Sequence, residues 1–96
     1  MSDTRALKRP IIEHLEPDNG KVDQTIIIGG QNLAGVQSVT FVDSHNNKKS
    51  GSNLKVISND EVQVTVPKGL TSGVAQVTVT SPGGTSTPPT DFPIIG

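Results

Sequence analysis

Two histidines and nine carboxylate side chains are the groups of this 96-residue chain that are suited to acid–base or metal chemistry. His14 and His45 are far apart in the sequence, and neither has a partner at a metal-chelating spacing. Hydrolysis requires a nucleophile with a base, two carboxylates aimed across a cleft, or a metal. Because the chain has no cysteine, thiolate nucleophiles, thiolate metal ligands and disulfides are excluded. The sequence therefore predicts a protein that is not an enzyme, with both histidines exposed.

Two turn segments contain groups that bind ions in other proteins. Asp18, Asn19 and Asp23 carry oxygen atoms suited to calcium, but they lack the EF-hand spacing. Residues 29–35 are rich in glycine, but they lack the Gly-Lys-Ser/Thr ending of a phosphate-binding loop. We therefore expect turn-forming roles for Asp18 and Asn19, a bulge and a left-handed turn in 29–35, and an Asn32 side chain that bonds its own loop. No cofactor and no metal are predicted.

Charge and aromatic content limit the classes of partner. Eight Lys and Arg against nine Asp and Glu give a formal net charge of −1, so no strong field attracts nucleic acid or a membrane surface. Glycan-binding sites generally present Trp or Tyr platforms, and this chain has neither. Glycan is therefore an unlikely partner on sequence grounds, and protein surfaces remain the predicted partners.

The elements that position these groups have a two-residue apolar period from Pro10 onward, which is typical of strands with one buried face. Residues 1–9 are polar and form a predicted arm, and residues 10–96 form one domain. The predicted strands are 11–15, 22–28, 37–43, a short strand at 54–56, 61–67, 75–79 and a last one ending near 94. The polar run 44–52 is predicted to be a solvated loop tip. Seven short strands with regular turns predict an all-β, immunoglobulin-like Greek-key sandwich.

The order of several short motifs resembles the IPT/TIG family of immunoglobulin-like domains. The matching segments are Pro10-Ile11-Ile12, Leu15-Glu16-Pro17 with Gly20, residues 25–33, Val39-Thr40-Phe41, Val64-Thr65-Val66-Pro67, Gly73 with Val77-Thr78-Val79, Gly83-Gly84 and Phe92-Pro93-Ile94. The resemblance implies a β-sandwich that acts as a spacer or binding module and has no shared catalytic residue.

Three aliphatic side chains have the parity of the outward face in this scheme. Ile27 lies between the inward Ile26 and Ile28, and Val42 and Val74 also fall on outward positions. An isolated outward aliphatic residue is common on protein surfaces, but a set of them suggests a face covered by a partner. The candidate partner contacts are these three and four residues of the arm: Arg5, Leu7, Lys8 and Arg9.

Three functional settings follow from this sequence. The favoured one is a small accessory subunit of a larger protein assembly, such as a decoration, neck or tail component of a phage virion. The alternatives are a spacer or adhesion module of a bacterial surface protein, and an accessory domain of a polysaccharide-acting enzyme. The first residues contain no apolar run of the kind found in secretory signals. A virion location is therefore favoured, and the alternative is an extracellular location within a longer exported chain.

Overall fold

A computed structural model describes residues 9–86 and 90–95, and within these residues the chain forms strands and loops without helix. The strands are β1 (Ile11–Glu16), β2 (Thr25–Gln31), β3 (Ser38–Val42), β4 (Lys48–Ser50), β5 (Ser52–Val56), β6 (Glu61–Thr65), β7 (Gly73–Ser81), β8 (Gly84–Thr85) and β9 (Thr90–Ile94). No helix in the described part of the chain is long and apolar enough to cross a membrane.

Two antiparallel sheets face each other. The first has the strand order β1-β2-β6-β5, and the second has the order β4-β3-β7-β8, with β9 also paired to β7. The chain crosses between the sheets at Gly51, because β4 pairs with β3 whereas β5 pairs with β6. All of these strand pairs are antiparallel. The predicted all-β, immunoglobulin-like sandwich is confirmed.

The core lies between the sheets, where the period-two pattern places it. Ile26 and Ile28 of β2 face Val62 and Val64 of β6 across the ladder, and all four are fully buried. The second sheet contributes Val39, Phe41, Ala75, Val77, Val79 and Phe92. The rings of Phe41 and Phe92 meet edge to face with centroids 6.2 Å apart. Burial of each such side chain stabilises the fold by roughly 1.5–3 kcal/mol.

Some predicted boundaries are wrong. The run 44–52 is not a single loop tip, because Lys48–Ser50 pairs with β3 and Ser52 begins β5. The side chains of β4 are all exposed, so this strand is held by backbone pairing and has no apolar pattern from which it could be predicted. The second strand begins at Thr25 rather than Val22, and it continues through Gly29 and Gly30 instead of ending there.

A bulge is expected within residues 29–35, but the structure has it in β1, opposite the glycine pair of β2. The β1–β2 register shifts between Ile12 and His14. A Cβ atom added to Gly30 would lie 1.8 Å from the backbone oxygen of Ile11, so only glycine allows this approach. Asn32 follows with a φ of 60°, which is the expected left-handed turn. Its side chain, however, donates to the Arg9 backbone oxygen at 3.3 Å rather than to its own loop.

The strand directions give the sandwich two distinct poles. The N-terminal pole holds the start of β1 and the loops 32–37 and 57–60. The C-terminal pole holds the turn 17–24, the loops 43–47 and 66–72, and the end of β9. Gly20 bridges to Ile94 at this second pole. The described chain therefore enters at one pole and leaves at the other.

Candidate functional site

A groove with an apolar floor opens at the C-terminal pole, beside the end of β9. It has a volume of about 760 Å³. The turn before β2, the loop before β7 and the last residues of β9 supply its walls: Lys21, Val22, Leu70, Thr71, Ser72, Ile94 and Ile95. We call these seven residues the C-terminal groove. Ile95 stands 52% exposed at its edge, and Val74 on the adjoining sheet face is 47% exposed. Four of the seven lining residues are aliphatic and three are polar, a mixture that suits contact with another protein.

A buried carboxylate holds one wall of this groove in place. Asp43 is 4% exposed and accepts five hydrogen bonds. The Thr71 amide and hydroxyl donate to it at 2.8 and 3.1 Å. The amides of His45 and Asn47 each donate at 2.9 Å, and the Asn47 side chain donates at 3.0 Å. Asp43 therefore ties the β3–β4 loop to the groove wall at Thr71.

The electrostatics of Asp43 follow from these contacts. Burial alone raises the pKa of a carboxyl group, because it disfavours the charged form. Here the hydrogen bonds from Thr71, Asn47 and His45 outweigh burial and hold the pKa of Asp43 well below its usual range. The group is therefore a permanent anion near neutral pH, and its acceptor capacity is used for loop anchoring. That role is structural.

The two histidines lie at opposite poles, and both are exposed, as predicted. Nδ1 of His45 lies 2.9 Å from the Thr71 hydroxyl at the C-terminal pole. His14 lies over Gly29, where an added Cβ atom would be 2.2 Å from its ring. Within the described part of the chain, no group of three or more His, Cys, Asp or Glu side chains could hold a metal ion.

The turn that contains Asp18, Asn19 and Asp23 makes internal contacts. The Asn19 amide donates to Asp18 at 3.0 Å, and Asp23 lies 3.8 Å from the Lys68 ammonium. Asp23 has a φ of 69°, so it shapes the turn through its backbone as well. These contacts suit the turn-forming role that was expected for this segment.

The structure separates the predicted partner contacts. Ile27 is half-buried on the outer face of the first sheet, and Val42 and Val74 lie on the outer face of the second. Arg9 lies at the N-terminal pole, with its side chain near Gly84. Arg5, Leu7 and Lys8 lie outside the described residues. The role of all seven as partner contacts stays a prediction.

The C-terminal groove is not among the sites predicted from the sequence. One signal for it was present, because Ile94 and Ile95 are adjacent and only one of two neighbouring strand residues can face the core. Ile94 is buried and Ile95 is exposed. The contributions of Val22 and Leu70 carry no such signal, since both come from loops that the topology brings to one pole.

Solved structures that share this fold include three bacterial proteins. Gamma-CGTase from alkalophilic Bacillus clarkii matches with a TM-score of 0.72 and 26% identity over 92% of the chain. SGBP-B of the Bacteroides ovatus mixed-linkage glucan utilization locus, in complex with a mixed-linkage heptasaccharide, matches with a TM-score of 0.62 and 18% identity over 81% of the chain. A putative phosphatase from Bacteroides thetaiotaomicron matches with a TM-score of 0.55 and 22% identity over 94% of the chain. The last two likenesses concern the fold alone.

The chain corresponds to a small part of each of these proteins, namely 12%, 21% and 19% of their lengths in the same order. No curated protein with significant sequence similarity was found. The profile of the IPT/TIG domain family matches residues 10–94, which is nearly the whole domain that the residue spacing predicts. On this match, the chain belongs to the IPT/TIG family of immunoglobulin-like domains.

Proposed function

We propose that this domain is a non-catalytic spacer that holds its neighbours at opposite poles and contacts one of them through the C-terminal groove. The observation that carries the proposal is the direction of the chain, which enters beside Ile11 and leaves beside Ile95 at the far pole. IPT/TIG domains are non-catalytic immunoglobulin-like modules and commonly mediate protein interactions. Two stacked sheets with a filled core keep such a separation fixed.

The groove supports a contact role because its aliphatic residues adjoin others that the described part of the chain leaves exposed. Ile95 and Val74 are both about half exposed, and Pro93 lies opposite Val74 in the ladder. Docking a neighbour here would bury apolar surface next to the point where the chain leaves the domain. This arrangement suits a neighbour that is linked in sequence or held in the same assembly.

Hydrogen exchange compares the isolated domain with the longer protein or assembly that contains it. The proposal predicts added protection at residues 21–22, 70–72 and 94–95. The largely exposed edge strand β5, residues 52–56, runs between the poles and serves as the internal reference. Protection at 52–56 without any at the groove would reject the groove as the contact surface.

The setting that the comparisons support is an accessory domain of a polysaccharide-acting protein. The support is that gamma-CGTase and SGBP-B, which was solved with a bound heptasaccharide, both contain a domain of this shape. We propose that the domain itself does not bind sugar, since the chain has no Trp or Tyr platform. Calorimetric titration with mixed-linkage heptasaccharide should give no heat of binding. A micromolar Kd would instead make the domain a direct glycan binder.

A narrower proposal from the sequence is an accessory subunit of a phage virion. The exposed aliphatic residues Ile11 and Ile57 at the N-terminal pole, together with Ile95 at the other, favour a module with protein neighbours at both ends. The surrounding genes separate the two settings. Adjacent capsid, neck or tail genes support the virion, whereas a reading frame that continues into an enzyme or repeated domains supports the accessory domain.

A further inference from the structure

The turn between β1 and β2 contains the one Asn-Gly dipeptide of the chain, at Asn19 and Gly20. An asparagine followed by glycine is prone to deamidation, because the next backbone nitrogen can attack the side-chain amide without hindrance from a Cβ atom. Asn19 is exposed, whereas Gly20 is buried. We propose that Asn19 is a latent site of spontaneous deamidation that strand β9 suppresses in the folded domain.

Glycine at this position leaves room for the side chain of Gln24. A Cβ atom on residue 20 would lie 2.5 Å from Oε1 of Gln24. That oxygen accepts a hydrogen bond from the Lys21 amide at 3.1 Å, so the Gln24 side chain closes the turn. The Gln24 side chain therefore packs where a Cβ atom of residue 20 would lie, and the absence of that atom leaves the preceding asparagine reactive.

Strand β9 immobilises the atom that must attack. The Gly20 amide donates to the Pro93 oxygen at 3.1 Å, and the Ile95 amide donates to the Gly20 oxygen at 2.7 Å. These two bonds fix both sides of the Gly20 residue against the last strand. Ring closure requires the Gly20 nitrogen to leave Pro93 and turn toward Asn19, so the reaction requires local detachment of β9.

The chemistry is balanced with water as the co-reactant. The Gly20 nitrogen loses its proton to base and forms a bond to Cγ of Asn19. The side-chain nitrogen takes up a proton from the protonated base, its bond to Cγ breaks, and it leaves as ammonia. Water then opens the resulting succinimide. Cleavage at Cγ gives aspartate, and cleavage at the backbone carbonyl gives isoaspartate. Nothing is oxidised or reduced.

The product would alter the C-terminal pole. It places a new carboxylate next to Asp18 and close in sequence to Lys21 of the groove. The isoaspartate form also adds one carbon to the main chain, which displaces Gly20 from its partners on β9. Because deamidation is irreversible, the fraction of modified Asn19 should increase with the frequency at which β9 detaches.

The test follows deamidation of the purified chain at mildly alkaline pH, in buffer and in urea, by mass analysis of the peptide that contains Asn19. We expect the native rate to be at least about tenfold below the unfolded rate, because only the open fraction reacts. Exposed Asn46 and Asn47, which lack a following glycine, serve as internal references. Equal native and unfolded rates at Asn19 would overturn the proposed suppression, and an unfolded rate no faster than the references would overturn the site.

A variant pair tests the role of β9. Ile95→Pro removes the amide that donates to Gly20, and Ile95→Ala keeps it while trimming the same side chain. We expect deamidation several-fold faster in the proline variant and near wild-type rates in the alanine variant. Should the proline variant not fold, exchange of the Gly20 amide in the wild type at low urea replaces it. Deamidation that does not change with Gly20 exchange contradicts the proposal, whether or not the groove binds a partner.

Discussion

The carboxylate of Asp43 accepts both the backbone amide and the hydroxyl of Thr71, at 2.8 and 3.1 Å. This double contact joins two loops that are 28 residues apart in sequence and forms one wall of the C-terminal groove. The groove is thus positioned by a buried polar anchor in addition to the apolar core.

Replacement of Asp43 by asparagine should lower the melting temperature clearly. One acceptor oxygen becomes an amide donor that faces the donors of Thr71 or Asn47, and a buried polar mismatch is costly. Asp60→Asn is the matched control, because Asp60 is exposed in a loop at the other pole. Thermal unfolding followed by circular dichroism measures both variants. Equal melting temperatures in the two variants would contradict the anchoring role.

The lowered pKa of Asp43 predicts that the domain loses stability as the pH falls. The folded-state pKa of Asp43 lies below the value of about 3.9 that an aspartate has in the unfolded chain. Its contribution is therefore complete above that value and is lost as the pH falls toward the folded-state pKa. Urea unfolding between about pH 6 and pH 2 should show the wild type losing its advantage over Asp43→Asn as the pH falls. A gap that stays constant, or widens in acid, would contradict this sign.

Two glycines should respond oppositely to alanine. Gly30→Ala places a Cβ atom 1.8 Å from the Ile11 oxygen, so the β1 bulge must move, at a cost of at least about 1–3 kcal/mol. Gly35→Ala meets its nearest neighbour, Pro82 Cδ, at an ordinary 3.7 Å. That change should be neutral or stabilise by about 0.4–1 kcal/mol, by reducing the freedom of the unfolded chain. Chemical denaturation compares the two, and similar losses would show that the bulge is not constrained as described.

Ile94 and Ile95 should differ in their contribution to stability, because Ile94 is buried in the core and Ile95 is exposed. Ile94→Ala removes a buried side chain and should lower the free energy of unfolding by about 2–5 kcal/mol. Ile95→Ser alters an exposed side chain and should change it by less than about 0.5 kcal/mol. Urea unfolding measures both values. A large loss in Ile95→Ser would mean that Ile95 belongs to the core and not to a contact surface.

The sequence predicts the part of this fold that depends on alternation. Strand β6, with buried Val62 and Val64 between more exposed neighbours, has the cleanest period and was located well. Strand β4 was missed because Lys48, Lys49 and Ser50 are all exposed, so backbone pairing with β3 leaves no apolar pattern. Alternation of apolar and polar residues indicates a strand with one buried face, so a strand without a buried face cannot be predicted from it.

The site was less accessible to sequence reasoning than the fold. Asp43 was assigned to the end of a strand, and nothing local indicates that Thr71 and Asn47 converge on it. Ile27, Val42 and Val74 share an outward parity, but parity does not say which sheet a strand joins. The sandwich places Ile27 on one outer face and the two valines on the other. Residues that form a surface together are set by topology, which a single strand pattern does not contain.

The spacer claim is tested most directly by the distance between the two ends of the described domain. The chain has no cysteine, so spin labels on Ile11→Cys and Ile95→Cys report one distance without competing sites. Strand lengths predict a single narrow distribution centred at about 20–30 Å, measured by double electron–electron resonance. A broad distribution, or a peak below about 15 Å, would contradict a rigid module whose chain enters and leaves at opposite poles.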